Sequence, residues 1–188
     1  MIFQYLCPMH DRKLRNVELG RVRPGEYRLL PPSGTVLVLD NIRSAHNVGS
    51  AFRTGDAFKV DRVFLCGICA VPPSAEIHKS ALGAEDSVPW EHAADTLEVV
   101  RRLRSEGYTV VSVEQTENAV SLQDFAPERG GRYAFVFGNE VDGVRQDVVD
   151  ASDISLEIPQ FGSKHSLNVS VSVGVVLWHL TNCHWHGH

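Results

Sequence analysis

The chain has little of what marks several common protein classes. It has only four cysteines, and Cys66 and Cys69 form a lone CxxC pair without a second ligand pair at zinc spacing. Buried free thiols therefore explain them better than a metal or redox centre. No apolar run is long enough for a signal peptide or a membrane span. Free thiols suit a reducing compartment, so a cytoplasmic location without membrane contact is expected.

The sequence gives little support for a nucleotide-binding loop, for a basic surface or for a metal centre. No GxxxxGK[ST] loop is present, and no GxGxxG segment follows a strand, which weakens the case for a nucleotide-binding protein of those kinds. The net charge of −5 argues against a surface that is basic throughout. The histidine-rich end, Cys183–His188, invites a metal. Chain termini are poorly ordered, so adventitious binding is easier to accept than a catalytic centre, and we expect no metal requirement.

What the chain does have is a core, since 43% of its residues are hydrophobic. Apolar strand-like runs alternate with helical patterns, which predicts an α/β fold with a mostly parallel sheet and flanking helices. The predicted strands are 35–39, 61–65, 108–113, 133–137 and 154–158. The predicted helices are 48–58, 93–106 (ending at Gly107), 144–149 and 169–180, with 76–84 a short helix or a loop. Residues 169–173 alternate as a strand would, but the long apolar run favours a helix.

The N-terminal segment differs in charge from the rest. Residues 1–34 are predicted to form a short basic arm, and residues 35–188 a single domain. Arg12, Lys13 and Arg15 are among the basic residues that outnumber the acidic ones in the arm. Contact with phosphate groups and a solvated tail docked on the core explain this excess equally well.

Unusual residues cluster in three segments near predicted strand ends. One opens a helix with Asn47, Gly49 and Arg53, one is Gly138–Glu140, and one spans 158–168. Each alone is weak, because Asn-x-Gly is common at helix starts and a glycine after a strand is usually a turn. Ligands of parallel sheets bind beyond the carboxyl ends of the strands, so the combination is more specific.

These segments resemble three motifs of a known family. NVGSAFRTGDAF, FVFGNEVDGV and IPQFGSKHSLNVSVSVGVVL look like motifs one, two and three of the SpoU/TrmH-type RNA ribose methyltransferases of the SPOUT superfamily. The resemblance covers residues 35–180. It implies S-adenosylmethionine-dependent methylation of a ribose 2′-hydroxyl in tRNA or rRNA. It also implies a homodimer, an RNA site near the subunit interface, and a C-terminal trefoil knot, which general folding rules would exclude.

The resemblance also implies roles for individual residues. The expected cofactor-binding residues are Phe137, Gly138, Asn139, Ile158, Ser166, Leu167 and Asn168. The expected catalytic residues are Asn47, Arg53, Glu140, Ser166 and Asn168, with Glu140 accepting hydrogen bonds from Asn168, Ser166 or Arg53. The resemblance gives the arginine the central role, sometimes as general base. A guanidinium hardly deprotonates, so a cation beside the forming alkoxide is easier to justify.

Simpler explanations remain open for the same residues. Arg53 could be an ordinary surface arginine and Glu140 an exposed carboxylate, while Asn47, Ser166 and Asn168 could merely cap helices. RNA rather than DNA follows from the 2′-hydroxyl chemistry. The candidate RNA contacts are Arg12, Lys13, Arg15, His46 and Lys79, although His46 could simply fill a loop. The alternative function is a non-catalytic RNA-binding protein that retains the fold.

Overall fold

The computed structural model describes residues 12–185 and contains a seven-stranded sheet. The strands are β1 Thr35–Asp40, β2 Arg62–Cys66, β3 Trp90–Ala93, β4 Thr109–Val113, β5 Val120–Ser121, β6 Tyr133–Phe137 and β7 Ile154–Glu157. Their order is β3-β2-β1-β6-β4-β7-β5, and each pairing in this sheet is parallel. The helices are α1 Pro24–Tyr27, α2 Ala45–Ala57, α3 Ala75–Ala81, α4 Ala84–Ser87, α5 Thr96–Ser105, α6 Gln146–Ala151 and α7 Val169–Trp185. The predicted α/β fold is confirmed.

The sheet is covered on both faces. Strands β1 and β6 are buried along their whole length, as expected for central parallel strands. Leu37 and Leu39 pack with residues of α2, α3 and α7 on one face. Val36 and Val38 pack with residues of α5 and α6 on the other. The three layers leave the strand ends, rather than the sheet faces, open to ligands.

The helix predicted over residues 93–106 begins later than predicted. Helix α5 starts at Thr96 because the Asp95 side chain accepts a hydrogen bond from the Leu97 N–H at 3.4 Å. The residues Trp90–Ala93 form edge strand β3, so Ala93, the predicted first residue of the helix, is the last residue of a strand. This strand was missed because Glu91 and His92 interrupt its apolar pattern. The two-residue strand β5 was missed because it is too short to show a period.

The start of α2 also corrects an expectation. The helix begins at Ala45, and the Ser44 hydroxyl oxygen accepts the Asn47 N–H at 3.3 Å. Ser44 is therefore the N-cap, and the view of Asn47 as the cap is wrong. Asn47 lies inside the first turn, where its carboxamide is available for other contacts.

The helical prediction for 169–180 is confirmed, and α7 continues to Trp185. Asn168 caps it, since its Oδ1 accepts the Ser170 N–H at 2.9 Å. The valines of the alternating stretch divide between the core, where Val173 is fully buried, and the surface, where Val171 is 49% exposed. Length and apolar density were therefore better guides than local alternation.

Residues 12–34 pack partly on the sheet domain. Tyr27 of α1 is 3% exposed, and its hydroxyl donates a hydrogen bond to the Val60 carbonyl oxygen at 2.9 Å. Arg12 and Arg15 form exposed ion pairs with Glu18. Residues 1–11, which complete the predicted arm and include Cys7, lie outside the described residues.

The cysteine prediction is confirmed for the CxxC pair. Cys66 and Cys69 are free thiols with exposures of 0% and 6%. Burial raises the pKa of Cys66 to about 12 and that of Cys69 to about 11. No helix within residues 12–185 is long and apolar enough to cross a membrane. The histidine-rich end lies only partly within the described residues, so the expectation about it stays a prediction.

Candidate functional site

An open cleft of about 470 Å³ lies at the carboxyl ends of β4, β6 and β7. Its walls come from the loops after these strands and from the start of α7. Every residue predicted to bind the cofactor lines it: Phe137, Gly138, Asn139, Ile158, Ser166, Leu167 and Asn168. The cleft therefore occupies the part of a parallel sheet where ligands ordinarily bind.

A hydrogen-bonded chain joins the three sequence segments beside this cleft. The Asn47 carboxamide nitrogen donates to Glu140 Oε1 at 2.5 Å, and the Asn168 carboxamide nitrogen donates to Asn47 Oδ1 at 3.3 Å. Asn47 is only 7% exposed, so its donor and acceptor have few alternatives. The donor to Glu140 is Asn47, rather than the Asn168, Ser166 or Arg53 that had been expected. Asn47 thus connects the second segment to the third.

Arg53 stands apart from the cleft. It is exposed and is not among the cleft residues. It follows Asn47 by six residues, about 9 Å along the helix axis, and points from a different face of α2. His46 and Ser50 share its face, at the spacing of successive helical turns. Within one chain, the structure separates the expected catalytic cation from the expected cofactor site.

The cleft is acidic. Glu114, Glu140 and Asp142 all line it, and its described lining contains no lysine or arginine. Leu156 and Ile158 add apolar surface to the same wall. Carboxylates lining a cleft attract positive charge and repel phosphate groups. The cleft therefore suits a partly apolar ligand that carries positive charge better than a polyphosphate.

The segment after β6 folds back tightly on itself. Asn139 Oδ1 accepts the N–H groups of Val141 and Asp142, both at 3.0 Å, which makes Asn139 the residue that forms the turn. A Cβ atom on Gly138 would lie 1.9 Å from the Gly143 carbonyl carbon. Glycine at position 138 is therefore required by the close approach of backbone to backbone.

Two polar cleft residues follow a strand whose end the sequence did not mark as a candidate site. Glu114 and Gln115 directly follow β4 and line the cleft. The Gln115 side chain donates to the His165 carbonyl oxygen at 3.0 Å, which connects it to the third segment. The signal was present, because they follow a predicted strand. Applying the strand-end rule to all strands, instead of three, would have found them.

The candidate RNA contacts are exposed but scattered. His46 lies in the first turn of α2 rather than in a loop, and Lys79 lies on α3. These helices cross closely at Gly49, where a Cβ atom would lie 2.4 Å from the Ile77 carbonyl oxygen. The absence of a side chain at Gly49 therefore lets the backbone of α3 approach α2 closely. Arg12, Lys13 and Arg15 are exposed in the N-terminal segment. Among residues 12–185, no group of three or more His, Cys, Asp or Glu side chains could hold a metal ion.

Comparison with known proteins identifies the family. The sequence profile of the SpoU rRNA Methylase family matches residues 34–178. The chain belongs to the SpoU rRNA methylase family. It is 36% identical over 145 residues to the 23S rRNA (guanosine-2'-O-)-methyltransferase RlmB of Nitrosomonas europaea, covering 76% of this chain and 54% of that protein. It is 30% identical over 184 residues to the RlmB of Salmonella typhi, covering 93% and 74%. The chain thus spans little more than half the length of the Nitrosomonas relative.

Solved SpoU structures share the fold. The A. aeolicus TrmH/SpoU tRNA modifying enzyme superposes with a TM-score of 0.75 at 22% identity, covering 85% of this chain and 81% of that one. An AdoMet-bound rRNA methyltransferase from Sinorhizobium meliloti superposes with a TM-score of 0.74 at 25% identity, covering 83% and 59%. At 22% identity, the similarity to the A. aeolicus enzyme shows a shared fold and nothing further. The second protein carries S-adenosylmethionine on the same fold.

Proposed function

We propose that this SpoU chain is an S-adenosylmethionine-dependent RNA methyltransferase that methylates a ribose 2′-hydroxyl of rRNA or tRNA. The observation that carries the proposal is the contact of Asn47 with both Glu140 and Asn168 beside the strand-end cleft. The names of the RlmB relatives make 23S rRNA the first substrate to test.

The cleft residues fit S-adenosylmethionine. A volume of about 470 Å³ lies within the usual range for small-molecule sites. The apolar wall suits a flat nucleobase, and the carboxylates of Glu140 and Asp142 suit a ligand with a sulfonium and an ammonium group. When bound, this cofactor supplies an activated methyl group. No metal is needed for such a displacement, and metal independence is part of the proposal.

The chain must then position the hydroxyl, let its proton pass to solvent, and stabilise the negative charge that develops on its oxygen. Glu140, Asn47 and Asn168 form the rigid edge of the site, with Ser166 beside them on the cleft wall. Arg53 supplies the positive charge for the forming oxyanion and the adjacent phosphate. Because Arg53 lies outside the cleft of its own chain, RNA and a second subunit complete the site around it.

An exposed apolar face of α7 supports a homodimer. Val171 and Trp178 are 49% and 63% exposed and lie seven residues apart, which places them on one face of the helix. Phe58, which directly follows α2, packs against Trp178 in a T-shaped arrangement with a distance of 6.5 Å between the ring centroids. A second copy of the chain would remove this surface from water. The trefoil knot, the cytoplasmic location and the boundary of the arm at residue 34 belong to the same proposal.

The cofactor is tested by calorimetric titration with S-adenosylhomocysteine in excess chelator. One binding site per subunit is expected, since the cleft lies within a single chain. RNA binding without any binding of the cofactor would contradict the proposal and favour the non-catalytic RNA-binding protein.

The role of Arg53 is tested by single-turnover methylation beside the same titration. Arg53→Ala should leave cofactor affinity nearly unchanged and slow methyl transfer by on the order of a hundredfold or more, as for loss of one oxyanion partner. Arg53→Lys should recover little, because a flexible point charge cannot replace the planar guanidinium. Asn168→Ala should weaken cofactor binding as well as rate. Arg101→Ala, an exposed arginine of α5, is the matched control. Wild-type turnover in Arg53→Ala would remove this residue from the mechanism.

A further inference from the structure

Two acidic residues stand at the ends of the strands on either side of β6. Leu39 of β1 and Val113 of β4 both pair with Phe137, the last residue of β6. Asp40 follows Leu39 as the last residue of β1, and Glu114 directly follows Val113, the last residue of β4. They therefore flank the start of the segment that follows β6, which we call the β6–α6 loop (residues 138–145).

These carboxylates accept hydrogen bonds from consecutive backbone groups of that loop. Glu114 Oε2 accepts the Val144 N–H at 2.9 Å. Asp40 Oδ2 accepts the Arg145 N–H at 3.1 Å. Hydrogen bonds to ionised acceptors are stronger than those between neutral groups, so the pair holds the far end of the loop from both sides.

The remaining contacts of the two carboxylates hold them in place. Asp40 is 0% exposed, and its Oδ1 accepts hydrogen bonds from the Asn41 carboxamide at 2.9 Å and from the Thr96 hydroxyl. Glu114 Oε1 accepts the Gln115 N–H at 2.9 Å. Each side chain therefore has one oxygen fixed locally and one directed at the loop.

The loop has little freedom around these bonds. Gly143 has a φ of +70°, and a Cβ atom on it would lie 2.1 Å from Glu114 Oε2. The absence of a side chain at position 143 thus lets the Glu114 carboxylate reach the Val144 N–H. The loop carries Glu140, whose carboxylate accepts from Asn47, so its position determines that contact.

We propose that Asp40 and Glu114 are positioning residues for methyl transfer, which fix the backbone of the β6–α6 loop and thereby hold Glu140 against Asn47 and shape one wall of the cofactor cleft. The role rests on the proposed function, because it assigns the pair to that reaction. Neither residue needs to touch the RNA.

Amide hydrogen exchange measured by NMR tests the contacts without any need for activity. The Val144 and Arg145 amides of the wild type should be protected. Glu114→Ala should speed exchange at Val144 by on the order of tenfold or more, the factor for losing one hydrogen bond to a charged group, and leave the β6 amides unchanged. Unchanged exchange at Val144 would overturn the role of Glu114. Unprotected exchange at the Arg145 amide in the wild type would rule out the proposed role of Asp40.

Titration with S-adenosylhomocysteine then tests the consequence. Glu114→Ala should bind on the order of tenfold more weakly, and Glu114→Gln, whose carboxamide oxygen can still accept the Val144 N–H, should recover most of the affinity. Glu117→Ala should match the wild type, because Glu117 is an exposed glutamate of the same segment between β4 and β5 that does not line the cleft. Equal weakening by Glu114→Gln and Glu114→Ala would show that the charge acts on the ligand directly, against a positioning role. Failure of the wild type to bind would instead refute the proposed function, while the exchange result would still report on the two carboxylates.

Discussion

Gly138→Ala gives a sharp test of the site geometry. The added Cβ atom would lie 1.9 Å from the Gly143 carbonyl carbon, 2.1 Å from the Val144 nitrogen and 2.2 Å from the Gly143 carbonyl oxygen. All three are backbone atoms, so no side-chain rotation can relieve the contacts. Overpacking in a tight site costs about 1–3 kcal/mol, and because these contacts are very short and involve backbone, we expect a loss of about 3 kcal/mol.

The loop can instead move and abandon its position in the cleft wall. Gly138→Ala should therefore lose either stability by about 3 kcal/mol or most of its affinity for S-adenosylhomocysteine. Urea unfolding and calorimetric titration of the same preparation measure both. Gly162→Ala is the matched control, because a Cβ atom there meets nothing within 4 Å and should change neither quantity. A Gly138→Ala protein with wild-type stability and affinity would refute the tight loop.

Three further outcomes are expected. Trp178→Glu should convert a dimer to a monomer in sedimentation at micromolar concentration, and a monomeric wild type would contradict the proposed interface. Burial raises the pKa of Tyr27 far above its ordinary value near 10, so the stability from its neutral hydroxyl is full below about pH 10 and is lost progressively as the pH rises from there toward the raised pKa. Tyr27→Phe should lower the free energy of unfolding by about 1 kcal/mol at neutral pH, because the Val60 carbonyl loses its donor. Thermal unfolding of the variant should also lose less stability at alkaline pH, because phenylalanine has no hydroxyl to ionise. Peptide mass spectrometry after iodoacetamide treatment should find Cys66 and Cys69 unmodified in the folded protein and modified in urea; rapid native labelling would contradict their raised pKa values.

The central strands were predictable because burial on both faces gives continuous apolar runs, as in Thr35–Asp40 and Tyr133–Phe137. The edge strand Trp90–Ala93 was not predictable in that way. Its polar residues are tolerated because one side of the strand has no neighbour in the sheet. Because this strand was missed, the start of helix α5 was placed at residue 93 instead of Thr96.

The cleft residues were predictable from motif resemblance and strand ends together. The partners of Glu140 were not, because a carboxylate can accept from any nearby donor and only the packing of α2 places Asn47 within 2.5 Å. The sequence likewise did not predict that Arg53 lies apart from the cleft. Six residues of helix rotate a side chain to another face, and a linear motif does not show which face meets the ligand.

Methyl transfer to ribose is the central claim, and one measurement addresses it directly. The protein is incubated with S-adenosylmethionine carrying a deuterated methyl group and with RNA from cells that lack this gene, in excess chelator. The RNA is then digested to nucleosides for mass spectrometry. The account predicts label on the ribose of a 2′-O-methylated nucleoside with the wild type and almost none with Arg53→Ala. Label on a base, or none with the wild type, would contradict it.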